Sequence, residues 1–150
     1  MRLFTAAAVV LSMATICLAE IHWDYMIFSQ QWAGTLCSFK EVRLIHCFSC
    51  LSKPVDKDFT IHGLWPTIWP AKQPTQCPKA PEFDELKLQP ILPQLRRHWP
   101  DLLASSDPHK FWKHEWIKHG RCAIEDNIIV NEFGYFNASL HLKSKAPVLQ

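Results

Sequence analysis

Between Phe59 and Trp65 the side chains alternate, with Phe59, Ile61, Gly63 and Trp65 on one side and Thr60, His62 and Leu64 on the other. That is the period-two pattern of a strand. Pro66 closes the run, because proline has no N–H to give to a ladder. Upstream, Tyr25 to Trp32 is rich in strand formers and ends at Ala33 and Gly34, which predicts a buried strand followed by a turn. Residues 37–57 show no clear period, and Pro54 with Asp56 marks a loop. Pro66, Pro70, Pro74, Pro78 and Pro81 then predict an irregular excursion that can flank a binding site.

Further along, the period lengthens. Phe83, Leu86, Ile91, Leu92, Leu95 and Trp99 fit helical pieces that restart at Pro90 and Pro93. Asp107 as N-cap, Pro108 at the first helical position and Gly120 at the far end bound another helix. Glu132 to Leu142 predicts a last one, with Phe133, Phe136 and Leu140 turned inward.

The first residues change the picture of where the chain works. Arg2 precedes an apolar run from Leu3 to Ala14, and the stretch ends in Cys17, Leu18 and Ala19, the pattern of a cleaved signal peptide over residues 1–19. At Glu20 the chain turns polar, so a membrane span is not expected. The whole chain carries 16 Lys and Arg against 14 Asp and Glu; losing Arg2 lowers its formal charge from +2 to +1. Such a balance is not that of a nucleic-acid coat. Eight histidines add positive charge on acidification, since their ordinary pKa is about 6.5, and would strengthen binding to a polyanion. After Cys17 is removed, Cys37, Cys47, Cys50, Cys77 and Cys122 remain, an odd count that predicts two disulfides and one thiol in an oxidising compartment. Asn137, Ala138 and Ser139 form a glycosylation sequon at Asn137.

The helix ending at Gly120 carries the chemistry. At about 100° per residue, with His114 as zero, Lys118 lies near about 40°, Glu115 near about 100° and His119 near about 140°. Trp112 and Trp116 fall beside that face and can dock it on a core. Alone, Glu115 with Lys118 or His119 has the spacing of an ordinary surface ion pair. A zinc-protease motif is excluded, because Lys118 occupies the position of the second ligating histidine. Cys47 and Cys50 have C-x-x-C spacing, but no second ligand pair follows at finger or ribbon distance, and the βαβ context of a redox motif is missing.

Two segments in joint order and spacing decide the matter. Phe59-Thr60-Ile61-His62-Gly63-Leu64-Trp65-Pro66 and Phe111-Trp112-Lys113-His114-Glu115-Trp116-Ile117-Lys118-His119-Gly120, with Cys122, resemble the two active-site segments of the ribonuclease T2 family. Gln31-Trp32, His98-Trp99-Pro100-Asp101 and Tyr135-Phe136 are similar to its weaker landmarks, so the likeness covers about residues 23–142. The resemblance implies an α+β fold, an antiparallel sheet with several helices packed on it, over residues 20–142. It implies cleavage of single-stranded RNA by a monomer in the secreted or lysosomal/endoplasmic-reticulum lumen, with no metal or other cofactor and no cleavage of DNA, which lacks the 2′-hydroxyl nucleophile.

On that resemblance, His119 is the base on the 2′-hydroxyl and His62 the acid on the leaving 5′-oxygen, two labels that could be exchanged. Lys118 stabilises the transition state, His114 contacts phosphate, and Glu115 orients or shares protons. Trp65 resembles a base-stacking residue, for which a core tryptophan is the plain alternative. Cys77 would pair with Cys122, and Cys37 with Cys47 or Cys50. Thr67 stands where the family often has an acidic or amide residue that tunes base choice, Ala33 where it usually has Pro, and Arg121 where it usually has Thr or Ser. Residues 143–150 no longer resemble the family, whose domain continues further. The expectation is a domain incomplete at its C-terminus, with a non-catalytic RNA-binding or interaction protein as the competing reading.

Overall fold

The computed structural model of the chain describes residues 22–36, 58–74, 77, 80–103, 107, 109–124 and 129–148. The leader over residues 1–19, Cys37, Cys47, Cys50 and Pro108 lie outside the described residues. Two strands, β1 (Tyr25–Trp32) and β2 (Phe59–Thr67), pair antiparallel, from Tyr25 opposite Thr67 to Trp32 opposite Phe59. A 3₁₀ helix (Glu85–Ile91) leads directly into α1 (Leu92–His98). Helix α2 occupies residues 110–123 in three parts: Lys110–Glu115, a π-helical turn Trp116–Gly120, and Arg121–Ala123. Helix α3 (Glu132–Lys145) closes the described chain, capped by the Asn131 side chain, which accepts from Gly134 N at 2.8 Å. The result is the expected α+β arrangement, helices against an antiparallel sheet.

Several expectations are corrected. β1 is half-buried at every position rather than buried, because among the described residues it pairs only with β2. A helical turn over residues 33–36 follows it. β2 continues through Pro66 to Thr67; Pro66 lies opposite Met26, near the strand end where one missing donor is tolerated. Leu86 points to solvent, 70 % exposed, and Leu88 takes the inward place, since the tighter 3₁₀ winding shifts which side chain faces the core. In α3 the fully buried positions are Glu132, Tyr135, Phe136 and Ser139, with Phe133 and Leu140 partly covered, and the helix runs on to Lys145.

Gly120 is not a helix end. Its φ of −58° and ψ of −38° are ordinary right-handed values, so no glycine-specific conformation is used there. A Cβ at this position would run into the Trp116 ring and stand 3.0 Å from Tyr135 Cδ1. The missing side chain lets α3 press against α2. The start of α2 also differs: Asp107 Oδ1 accepts from His109 N at 2.9 Å and Asp107 O from Lys110 N at 3.2 Å, so regular helix begins at Lys110.

The core gathers Ile61 and Leu64 of β2, Leu88, Ile91 and Leu95, and the rings of Trp99, Trp112, Trp116, Tyr135 and Phe136. Each buried indole N–H needs an acceptor. Trp112 donates to Trp99 O at 2.7 Å, Trp116 to Pro81 O at 3.0 Å, and Trp99 to His62 O at 3.1 Å. The Trp112 and Trp99 bonds fasten α2 to the segment after α1 and that segment to β2, and the Trp116 bond holds α2 to the end of the proline-rich excursion. A Cys77–Cys122 disulfide, the pairing the resemblance implies, ties the proline-rich excursion to the end of α2 across 45 residues.

Among the described residues Glu132 is the one buried carboxylate besides Glu115 that the core must satisfy. Fully buried, it accepts Asp84 N at 3.1 Å on both oxygens, with Lys87 Nζ at 3.9 Å. Burial pushes its pKa up to about 7, against the lowering pull of the Asp84 N–H and Lys87. The folded state therefore holds this proton more tightly than the unfolded chain. Its stabilising contribution is full below about 4.5, the ordinary value, and is lost as pH rises through about 7. Glu132→Gln, neutral throughout, should gain stability relative to the parent by about 3 kcal/mol between pH 4.5 and pH 8. Urea midpoints of both proteins across that range measure it; a pH-independent difference would remove the argument.

Candidate active site

A fault in the strand aims the first histidine. Ser29 lies opposite Gly63 and Gln30 opposite Ile61, so His62 has no partner on β1 and forms a β-bulge. Strict alternation, which put His62 and Trp65 on opposite faces, is broken at this residue, and the two rings come together with centroids 5.3 Å apart. An unpaired bulge residue also has a free carbonyl, the one that Trp99 engages. Ile61 and Leu64 stay in the core on either side.

The second histidine is placed by the π turn. A π turn hydrogen-bonds i to i+5 and so widens the helix, and the even spacing of 100° per residue does not hold from Trp116 to Gly120. The His119 ring lies over Trp65, centroids 5.4 Å apart and planes 38° apart. Trp65 thus contacts both His62 and His119, with Phe111 flanking His62 at 6.0 Å. Glu115, 2 % exposed, accepts a hydrogen bond from Trp65 Nε1 at 3.0 Å. Beneath it the fully buried Tyr135 hydroxyl donates to Leu64 O at 2.9 Å. His114 is exposed and Lys118 half-buried at the rim.

Burial and neighbouring charge separate the protonation of these groups. Burial pushes Glu115 up to about 7, opposed by the Trp65 hydrogen bond. His119 is pushed down to about 4, first by burial and then by the charges of His114, Lys118 and His62. His62 is lowered as well, by burial and by His114. Burial, with the charge of Glu115, keeps the Tyr135 hydroxyl protonated. Between about 4 and about 7 the proton therefore sits on the carboxyl of Glu115 while His119 is neutral, the reverse of the order in water. His119 Nδ1 is buried with no hydrogen-bond partner among the described residues.

All five residues expected from the helix face and the strand, His62, His114, Glu115, Lys118 and His119, border this one place, and Trp65 stands at its centre. Three contributors were not singled out. Gly63 faces the gap between Trp65 and Glu115, where a Cβ would collide with Trp65 Nε1 and Glu115 Oε2. Trp99 and Tyr135 hold the backbone of β2 at His62 and Leu64. All three lie within segments that bear the family likeness, which was the available signal. Asn137 is exposed on α3. Among the described residues no cluster of three or more His, Cys, Asp or Glu could hold a metal ion, and no helix is long and apolar enough to cross a membrane.

Comparison with known proteins agrees with the fold and the motifs. The model of the ribonuclease T2 family matches residues 23–150. Intracellular ribonuclease LX of Solanum lycopersicum is 35 % identical over 150 residues, covering 99 % of this chain and 60 % of its own length. Extracellular ribonuclease LE of the same plant is 32 % identical over 145 residues, covering 93 % of this chain and 60 % of its own. The solved structure of ribonuclease MC1 from the seeds of bitter gourd superposes with a TM-score of 0.70 at 33 % identity, over 83 % of this chain and 60 % of that one. The chain thus spans about 60 % of the length of these relatives. Shared over nearly all of its described length, with both motif segments meeting at one site, this pattern leaves one assignment: the chain belongs to the ribonuclease T2 family.

Proposed function

We propose that the chain encodes an endoribonuclease site that cuts single-stranded RNA by internal transphosphorylation. The observation that carries the proposal is the pair of imidazoles gathered at one indole, 5.3 and 5.4 Å from the ring centre of Trp65, with the Glu115 carboxyl bonded to the same ring. RNA carries its nucleophile next to the phosphorus, so a base, an acid and charge stabilisation suffice for the cut.

His119, neutral above about 4, takes the 2′-hydroxyl proton. With Nδ1 buried, the exchange passes through Nε2. The 2′-oxygen bonds to phosphorus, the P–O5′ bond breaks, and protonated His62 gives its proton to the departing 5′-oxygen. A phosphodiester between the rings supplies the negative charge that restores the His62 pKa lost to burial. Lys118 and His114 meet the developing phosphorane charge, and Glu115, protonated below about 7, donates to the same oxygens. Water then opens the 2′,3′-cyclic phosphate at its 2′-oxygen bond, with the two histidines exchanging roles, to leave a 3′-phosphate. No step calls on a metal. Aromatic contact with Trp65 does not read base edges, so low sequence preference is expected.

The relatives are named both intracellular and extracellular. The leader pattern favours entry into the secretory or lysosomal route. The test is cleavage of single-stranded RNA, with a DNA control, by the chain lacking residues 1–19. With EDTA present, kcat/KM should follow a bell whose acid limb reports His119, at about 4, and whose alkaline limb reports His62, lowered below its ordinary value by burial and by His114. Cleavage abolished by EDTA would refute the mechanism, and RNA binding without cleavage by the folded chain would favour a non-catalytic reader.

A further inference from the structure

Trp65 is not free to act only as a platform for a base. Its indole N–H is committed to Glu115 Oε2 at 3.0 Å, and Glu115 is almost wholly buried. A buried carboxyl with one strong donor is fixed in rotation, and the charge-assisted form of that bond opposes the cost of ionising it in place. Close by, His119 feels the charges of His114 and Lys118 from α2 and of His62 from β2, and the charge of Glu115 itself acts on the Tyr135 hydroxyl of α3. Among the described residues Trp65 is the side chain that hydrogen-bonds to it. Gly63 is the residue that permits the approach, since any Cβ there would occupy the gap that the bond spans.

We infer that Trp65 is a positioning residue for Glu115, holding its carboxyl in register with the two histidines, and that Gly63 is required because only a residue without Cβ lets the indole and the carboxyl meet. The inference rests on the site reading given above but concerns a contact that exists whether or not RNA is cut. It separates two functions of one ring: the aromatic face, which any base could use, and the N–H, which serves the carboxyl.

The decisive substitution is Trp65→Phe, which keeps an aromatic face and removes only the donor; Gly63→Ala keeps the donor and blocks its path. In each, the carboxylate loses its hydrogen bond in a buried place, so its proton is held more tightly. Carbon-13 NMR of glutamate-labelled chain, with the Glu115 signal assigned by Glu115→Gln, should show its midpoint moving up by about one pH unit from about 7. In active protein kcat should fall while KM for RNA changes less than threefold in Trp65→Phe. The Trp65→Phe effect should vanish in a Glu115→Gln background. A midpoint that stays or falls in both variants overturns the inference, as does full additivity with Glu115→Gln. The NMR titration reads the contact itself, so an inactive parent chain would count against the proposed function and leave the positioning role decided by the titration.

Discussion

His119→Ala is expected to lower the rate of RNA cleavage at pH 5 by about 10²- to 10⁴-fold, the range in which a positioned general base contributes. At that pH the parent imidazole is neutral because its pKa is held at about 4 by burial and by the charges of His114, Lys118 and His62, so nearly all molecules carry a competent base. The substitution should leave KM for RNA little changed, because a neutral ring makes no ion pair with phosphate. It should also leave the fold intact or slightly firmer in acid. A histidine whose folded pKa is depressed favours the folded state above its ordinary value near 6.5 and loses that advantage as pH falls toward about 4. Removing it removes an acid weakness. Initial rates on a homopolymer, with urea midpoints at pH 4.5 and 7 as the folding control, check both halves. A residual activity within tenfold of the parent would transfer the base role elsewhere.

Trp99→Ala should cost about 3–5 kcal/mol of folding stability, the usual toll for removing a large aromatic from a core. Trp99 is fully buried against Tyr135 and Phe136, with ring centroids 6.1 and 5.1 Å away. Since whole domains are stable by only about 5–15 kcal/mol, this variant should be largely unfolded at moderate temperature. Trp99→Phe separates packing from bonding. It fills most of the space but leaves the His62 carbonyl without its donor, so a loss of about 1–2 kcal/mol is expected. It should also lower kcat more than it raises KM, because the bulge that aims His62 is no longer tethered. If Trp99→Phe reduced stability yet left kcat untouched, the tether would have no part in aligning the site.

How far the sequence revealed this arrangement depends on which physical rule each part obeys. Strands and helices were legible where composition or periodicity held, the strand formers of Tyr25 to Trp32 in the one case and the helical spacing from Glu132 onward in the other. The grouping of His114, Glu115, Lys118 and His119 was legible because one helix carries them all. Illegible were the places where the period is broken. Alternation through β2 put His62 opposite Trp65, whereas the bulge at His62 brings their rings together. Capping rules ended α2 at Gly120, whereas that glycine serves close packing between Trp116 and Tyr135 and the helix passes through it. Such breaks depend on contacts made between distant segments, Trp99 with His62 and Trp65 with Glu115, and a local pattern holds no record of them.

The π turn at Trp116–Gly120 has a consequence for the chain's history as well as its shape. A π turn amounts to a regular helix with one residue more than it needs. Deleting Ile117 should let α2 heal into uninterrupted α-helix with better hydrogen bonds along its length. The same deletion would swing every residue after it by about 100° relative to His114 and draw it about 1.5 Å along the axis. Lys118 and His119 would leave Trp65, and Cys122 would turn away from Cys77. A tidier helix would thus be a blind one, and the surplus residue marks a place where regularity and reactivity are alternatives between which this chain holds to the second.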